Sequence, residues 1–458
     1  MHCSCEREAL VRVLTIGADL CRAFPDLFHV TFAAREACET ALEIIMWHEG
    51  NGVGVRATIP ADVREAGTIT APTRTTADVL ATHPGSRIEL ASVQIPDPAA
   101  VATNDLMPSL PGSPALQLES IGNTGRRQRT RVRLSSSQAT PTVEAALTVG
   151  HMRGIPLASL APDALQVVWE PCLLLAKKRD KASDETPDMD HAQVLFRFDP
   201  DALVCTATTR HAVAQSCVPW TRLEGNMPVS HVLVDERRVH WIKKALQQET
   251  QPVTLTLVPQ ADATALLLVA LSQVTLICRV ITAPIPLVWE RRVHAPVSQV
   301  MLLSRVLFSK SLDVLAADRA HGADRSLLLQ AQGHQLRLQW DPLAQENQVA
   351  CELPIVNTVE ERAPVLVHLR SLREMLRQFK GPVVCLEQGE IRLRKRAEAT
   401  EHPVPVGFLR LSQPTQKTIH MMMTIVERVE PPQKVHAPTE HEPVIRDTNV
   451  KGDALAIV

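Results

Sequence analysis

One pattern recurs three times along this chain of 458 residues, with room for a whole domain between copies. In Gly67–Ala91 (GTITAPTRTTADVLATHPGSRIELA), a short apolar strand carrying Ile69 and Ala71 runs into Pro72. A helix with Arg74, Val79 and Leu80 follows, then a turn at Pro84–Gly85 and an alternating strand over Arg87–Leu90. His231–Pro259 repeats the order: Val232 and Val234 in the strand, Asp235 as an N-cap, Arg237, Val239, Ile242 and Leu246 at helical spacing, and Val253, Leu255 and Leu257 alternating. In Ala363–Leu386 the strand holds Val365 and Val367, the helix face Leu369, Leu372 and Leu376, and the turn Gly381–Pro382. Aligned on Arg74, Arg237 and Arg370, the copies stand 163 and 133 residues apart. A solenoid repeat is far shorter, so each copy belongs to a domain, in keeping with about 150 residues per unit.

A second helix is expected near the start of each unit. Glu6–Arg22 places Leu10, Val13, Leu14 and Leu20 on one side; Asp163–Lys178 carries Leu165, Val168, Trp169, Leu173 and Leu174, with Pro171 expected to kink it or delay its start. Val297–Ser311 carries Val300, Leu303, Val306 and Leu307. Strands are expected between the helices, at Leu195–Phe198 and Leu203–Ala207, and again at Ser326–Leu329 and Gln335–Trp340. Two amphipathic helices beside antiparallel strands give an α+β class. The expected units are 1–155, 156–293 and 294–427. A Pro-rich insertion lies near 96–114, a charged loop covers 179–191, and a polar, Pro-rich tail over 428–458 is expected to be disordered.

At 45% hydrophobic and 21% charged residues, the chain can bury sizeable cores. Its apolar stretch at Ala265–Leu271 is far short of the roughly 20 residues of a membrane helix, and MHCSCEREAL lacks a secretion layout. A cytoplasmic protein is expected, with its ten cysteines reduced and mostly buried. A net charge of −2 excludes a globally basic nucleic-acid binder, so any DNA contact must use locally concentrated charge. With no Tyr and 3% aromatic residues, single-strand recognition by base stacking is disfavoured.

Catalytic and metal motifs find no support. His2, Cys3 and Cys5 have no second ligand pair at zinc-finger spacing, and His151, His211, His231 and His240 follow no metalloprotease pattern. Gly50–Gly54 (GNGVG) suits a hairpin turn better than a phosphate loop, and Asp188 and Asp190 suit a solvated loop. No catalytic residue, cofactor or metal is assigned, and a non-catalytic role is expected.

Several stretches carry a resemblance. CEREALVRVL opens unit one, and GTITAPTRTTADVLATHPGSRIEL follows a strand, helix, turn and strand. VLFRFDPDALVCTATTRHAVA contains Ala207, Thr208, His211 and Ala214, and IPLVWERRV contains Pro286, Arg291, Arg292 and Val293. HMMMTIV lies near the end. Together, over nearly the whole chain, they resemble the beta subunit of DNA polymerase III, the bacterial sliding clamp. That family typically shows ATDGHRLA, FPDYRRV and YVVMPMRL at the last three places. Here Thr209, Arg210 and Ala212 depart from the first motif, two residues are inserted in the second, and Thr424 replaces a proline in the third.

The resemblance implies three repeated clamp domains forming a ring as a head-to-tail homodimer around duplex DNA, without reading its sequence. It also implies tethering of the polymerase catalytic subunit, the clamp loader and other clamp-binding proteins. The ring would be lined by helices, so the implied DNA-facing residues are Arg7, Arg12, Arg22, Lys177, Lys178, Arg237, Arg238, Lys243, Lys244, Arg305, Lys310, Arg370, Arg373 and Arg377. The implied partner-peptide groove between units two and three comprises Thr208, Arg210, His211, Ala212, Val213, Pro286, Arg292, Val293, His368, Met422, Met423, Thr424 and Ile425, where flexible methionines suit varied peptides. A clamp-fold scaffold or paralogue that never closes a ring remains the alternative.

Overall fold

The computed structural model describes residues 1–25, 29–35, 40–95, 113–122, 125–134, 154–176, 193–208, 212–223, 230–260, 263–282, 295–317, 326–340, 350–360, 364–393, 404–413 and 419–424. The expected loop at 179–191, the tail over 428–458 and positions 96–112 of the expected insertion lie outside these; Ser113 and Pro114 open a strand.

The described elements fall into three groups of one design. The first holds β1 (His2–Glu6), α1 (Arg7–Ala23), β2 (His29–Arg35), β3 (Ala41–His48), β4 (Val53–Glu65), β5 (Gly67–Pro72), α2 (Thr73–Thr82), β6 (Arg87–Ile95), β7 (Ser113–Ile121) and β8 (Arg127–Arg133). Next come β9 (Ile155–Leu160), α3 (Pro162–Ala176), β10 (Gln193–Phe198), β11 (Ala202–Thr208), β12 (Ala212–Pro219), β13 (Thr221–Arg222), β14 (His231–Asp235), α4 (Glu236–Leu246), β15 (Val253–Pro259), β16 (Thr264–Ala270) and β17 (Val274–Ile281). The third group is β18 (Val297–Ser304), α5 (Arg305–Ala317), β19 (Ser326–Trp340), β20 (Ala350–Val359), β21 (Val365–His368), α6 (Leu369–Arg377), β22 (Val383–Leu393), β23 (Val404–Ser412) and β24 (Ile419–Thr424).

Every strand pairing among the described residues is antiparallel, and the order repeats. Group one runs β5–β2–β3–β4 and then β4–β1–β6–β7–β8; group two runs β14–β10–β11–β12 and β13–β9–β15–β16–β17. Group three runs β21–β19–β20 and β20–β18–β22–β23–β24. This is the α+β class that the periodicities predict.

The helices form where apolar spacing permits. α1 buries Leu10, Val13, Leu14, Gly17, Leu20 and Cys21, a stripe at three- and four-residue intervals. It closes with the Phe24 amide donating to the Leu20 carbonyl, just before Pro25. α4 starts at the predicted cap: the Asp235 carboxylate accepts from the Arg237 amide at 2.9 Å. In α3, Trp169 is fully buried and stacks on Phe196 at 5.6 Å. The helix runs through Pro171 instead of starting after it. In the preceding turn the Ser216 hydroxyl donates to the Val168 carbonyl, beside the Val167 carbonyl that loses its helical donor at Pro171.

One expectation is corrected. Val297–Ser304, predicted as the first half of a helix, is strand β18, and the helix begins at Arg305. Gln299, Met301 and Leu303 point inward while Ser298 and Val300 are exposed, a period of two that the apolar composition disguised as a helical face. Val306 and Leu307, expected on the apolar face of that helix, are exposed on α5. The Gly50–Gly54 stretch does form the β3–β4 turn, with Gly52 at φ 56° donating its amide to Glu49.

Nine cysteines among the described residues are unpaired thiols, seven of them buried. Burial pushes Cys3 up to about 11 and Cys5 up to about 12, leaving both protonated at neutral pH.

Groups one and two are also tied by a buried acid. The Glu249 carboxylate receives the amides of Thr250 (2.9 Å), Gln251 (3.0 Å) and Ser272 (3.0 Å), the Ser272 hydroxyl (3.0 Å), and Arg12 of α1 at 3.1 Å. Burial opposes ionisation, but these hydrogen bonds outweigh it and hold the carboxyl below the usual glutamate range. A carboxyl depressed in the folded state stabilises above its unfolded pKa and ceases to do so as pH falls through the folded value. Glu249→Gln is therefore expected to cost roughly 1–3 kcal/mol at neutral pH. The gap to wild type should narrow on acidification below the usual glutamate range, read by urea unfolding across that range.

Candidate functional site: helix faces and unit junctions

Two ladders cross between the groups, and they follow one rule. Strand β4 of group one pairs with β17, the last strand of group two, over Val53↔Cys278 to Ala57↔Val274. Strand β12 of group two pairs with β24, the last strand of group three, over Ala212↔Met423 to Ser216↔Ile419. A proline marks the same place in each unit: Pro60 pairs with Ala41, Pro219 with Ala202 and Pro354 with Gln335. Both crossing ladders use the seventh to the third residues before that proline. A residue without an amide hydrogen cannot donate to a ladder, and all three prolines are exposed.

The first junction is reinforced on both faces. On one face Ile45 and Trp47 of β3 pack with Val258, Leu266 and Ile277 of group two. On the other, α1 lies against α4: the Trp241 indole donates to the Ile16 carbonyl at 3.4 Å, and Lys244 meets Asp19 at 2.7 Å. Arg238 donates to the carbonyls of Asn51, at 2.7 Å, and Arg279.

The basic helix residues divide by what they already hold. Arg7 donates to the Gly85 carbonyl at 2.9 Å, and Arg305 to the Gly381 carbonyl at 2.8 Å. They are equivalent residues, each tying the start of one helix to the turn after the other. With Arg238 at the junction and Arg12 on Glu249, these four of the residues expected to face DNA also hold internal acceptors. Lys243 meets Glu170 at 2.9 Å, and the Arg373 guanidinium meets Asp313 at 2.5 Å; both cations are half-buried. Arg22, Arg237, Lys244, Lys310, Arg370 and Arg377 are exposed. Arg22 and Lys244 share Asp19, Arg370 pairs with Glu374, and Arg237 lies 3.9 Å from Asp235. Exposed pairs of this kind hold their cations weakly and can exchange them to another anion. Lys177 and Lys178 lie outside the described residues.

The groove residues are brought together in part. The β12–β24 ladder sets Ala212 opposite Met423 and Val213 opposite Met422, joining stretches from groups two and three. Thr208 is buried beside them, its hydroxyl donating to the Ala212 carbonyl at 3.2 Å. Thr424 ends β24 opposite Phe408, and His368 is exposed at the N-cap of α6. Arg210, His211, Pro286, Arg292, Val293 and Ile425 lie outside the described residues. The proline-marked junction strands escaped the sequence reading.

No family model and no curated protein matches the chain. Solved structures do. A DNA polymerase sliding clamp from Caulobacter crescentus aligns with TM-score 0.66 at 15% identity, over 93% of this chain and 100% of that one. One from Bacillus subtilis aligns with TM-score 0.66 at 11% identity, over 93% and 99%. The DNA polymerase III subunit beta from Pseudomonas aeruginosa gives TM-score 0.66 at 13% identity, over 93% and 100%. The chain therefore has the fold of the bacterial sliding clamps, spanned along its whole length. Among the described residues no helix is long and apolar enough to cross a membrane.

If Arg7 and Arg305 are structural clasps, Arg7→Ala and Arg305→Ala should each lower stability by about 1 kcal/mol, the worth of a hydrogen bond to a part-buried carbonyl. Thermal unfolding of the two variants beside Arg22→Ala, which should shift little, measures this.

Proposed function

We propose that two copies of this chain close head to tail into a ring around duplex DNA, and that the ring acts as a non-catalytic processivity clamp tethering a replicative polymerase. The observation that carries this reading is the repeated junction. Units one and two, and units two and three, join through the same ladder in the same register. Group one keeps its last strand, β8, and group three keeps β20, with no neighbouring unit on them among the described residues. A head-to-tail contact that recurs with one geometry either closes or grows into a filament, and the fold is one whose solved examples are named sliding clamps.

The exposed cations Arg22, Arg237, Lys244, Lys310, Arg370 and Arg377 are the DNA-facing set in this reading. They come from α1, α4, α5 and α6, so each half of the ring offers phosphate contacts from all three units. The net charge of −2 fits topological retention, in which tight binding would oppose sliding. Ala212, Val213, Met422 and Met423, with Thr208 beside them, are the core of the proposed peptide groove for polymerase, loader and other partners. A second reading, a clamp-fold scaffold that never closes, has one point in its favour: β8 is rich in arginine, where the first internal junction packs an apolar cluster.

Retention on circular duplex DNA that is lost when the circle is cut is the expected behaviour, measured by gel filtration of loaded complexes; equal retention on both forms would refute the ring. Neutralising Arg237, Lys244, Lys310 and Arg377 together should lower the slope of log affinity against log salt by about 0.9 for each phosphate contact removed.

A further inference from the structure

The three units share one register, so the partner positions at the third junction can be read from the first two. The hairpin pairs Leu118↔Thr130, Val269↔Leu276 and Leu411↔Met421 are equivalent, because Leu90, Leu255 and Leu386 behind them pair with Cys3, Ala158 and Met301 at matching places in each unit. Val274 and Ile419, two residues before Leu276 and Met421, face the third residue before the proline mark. The equivalent of Val274 and Ile419 in β8 is Gln128. The third residue before Pro354 is Cys351.

We infer that a second copy docks β8 along β20 with Gln128 opposite Cys351 and Arg129 opposite Ala350. Arg127 then faces Glu352 one step further, and the closing seam is charged where the internal seam is apolar. This rests on the ring reading above and goes beyond it by fixing register and chemistry. The outward residues of β8 are Arg127, Arg129, Arg131 and Arg133, all exposed. Among the described residues their own sheet offers them one carboxylate, Glu119, at 3.4 Å from Arg127 and 2.8 Å from Arg129, and the amide oxygen of Gln117 at 3.1 Å from Arg131. Arg127 and Arg129 keep side-chain exposures of 68% and 50%. Opposite them, Ala350 and Glu352 are exposed on β20, and Glu352 is the carboxylate that the register delivers to Arg127.

The contrast with the first junction is residue for residue. Ile277, in the apolar cluster with Ile45 and Trp47, has Arg131 as its equivalent. Leu268, packed against that cluster, has Gln117 as its counterpart, and the counterpart of Ile45 in unit three is Gln339. On the helix side, Ile16 is 7% exposed beneath Trp241, while its equivalent Val314 on α5 is 55% exposed. Facing it would be Asp78 of the second copy, the equivalent of Trp241. The closing junction keeps the backbone ladder and gives up the apolar clusters, so its register depends on charge.

Sedimentation equilibrium of the full chain tests this with Arg127→Glu, Glu352→Arg, the two combined, and Arg131→Ile. Wild type should be a dimer. Each charge reversal should weaken dimerisation at least about tenfold, the swapped pair should return to within about threefold, and Arg131→Ile should tighten the dimer. All three positions are exposed, so unchanged thermal unfolding is the control for folding. A wild-type dimer indifferent to the reversals, or a swap without recovery, overturns the seam and leaves the ring standing. A wild-type monomer at all concentrations overturns both. Loss of DNA binding with unchanged dimerisation in the arginine variants would make β8 a phosphate-binding edge and overturn the seam.

Discussion

An antiparallel sheet with an open edge presents a row of unpaired amides and carbonyls, and this chain satisfies that edge by borrowing the next unit. The strands before the first two proline marks, β4 and β12, each have one side on their own hairpin and the other on the last strand of the following unit. That demand fixes the order of the units and their spacing. Because the pairing is directional, it also fixes the sense in which any further unit must attach. The helices then fall on the opposite side of the sheets, and their contacts follow from the ladder. Trp241 reaches the Ile16 carbonyl, and Glu249 reaches Arg12, because β17 has already seated group two on β4.

The prolines sharpen this constraint. Pro60 and Pro219 each follow the junction ladder on its own strand, three residues beyond its last pair, and Pro354 holds the matching place in β20. A missing amide there limits the ladder to a short run and guards the strand against slipping. Gly52 performs a related service at the start of β4. Its positive φ turns the chain back, and a side chain there would strike Arg279 of the neighbouring unit at 2.4 Å. The seam between units one and two is thus bounded by two residues with special backbones.

Much of this was legible in the sequence. Arg74, Arg237 and Arg370, on which the copies align, each occupy the second residue of a helix, so the alignment was right to the residue. The prolines were not found because they repeat on a different spacing. From Pro60 to Arg74 is 14 residues, from Pro219 to Arg237 is 18, and from Pro354 to Arg370 is 16. Loops of unequal length between strand and helix destroy any constant period while leaving the fold unchanged. β18 was misread for a different reason: VSQVMLLS carries apolar residues at positions that satisfy both periods, and only burial on the sheet decides between them. The basic residues divide in a way composition cannot reveal, since Arg7 and Arg22 lie on one helix and only the former meets a glycine carbonyl.

The apolar first junction and the arginine-lined free edge have opposite physical consequences. Burying Ile45, Trp47, Ile277, Val258 and Leu266 together makes the bond between units one and two part of folding, with no separate equilibrium of its own. An edge strand with four exposed arginines cannot be part of a core. It keeps the isolated chain from pairing indiscriminately, because like charges resist edge-to-edge stacking of β8 on β8. What accepts such an edge must present hydrogen-bonding backbone in the right register and a carboxylate in the right place, and backbone alone would not discriminate. In the proposed ring, charge at this edge and apolar surface at the first junction would let the two contacts differ in kind, one selective and reversible, the other part of the fold.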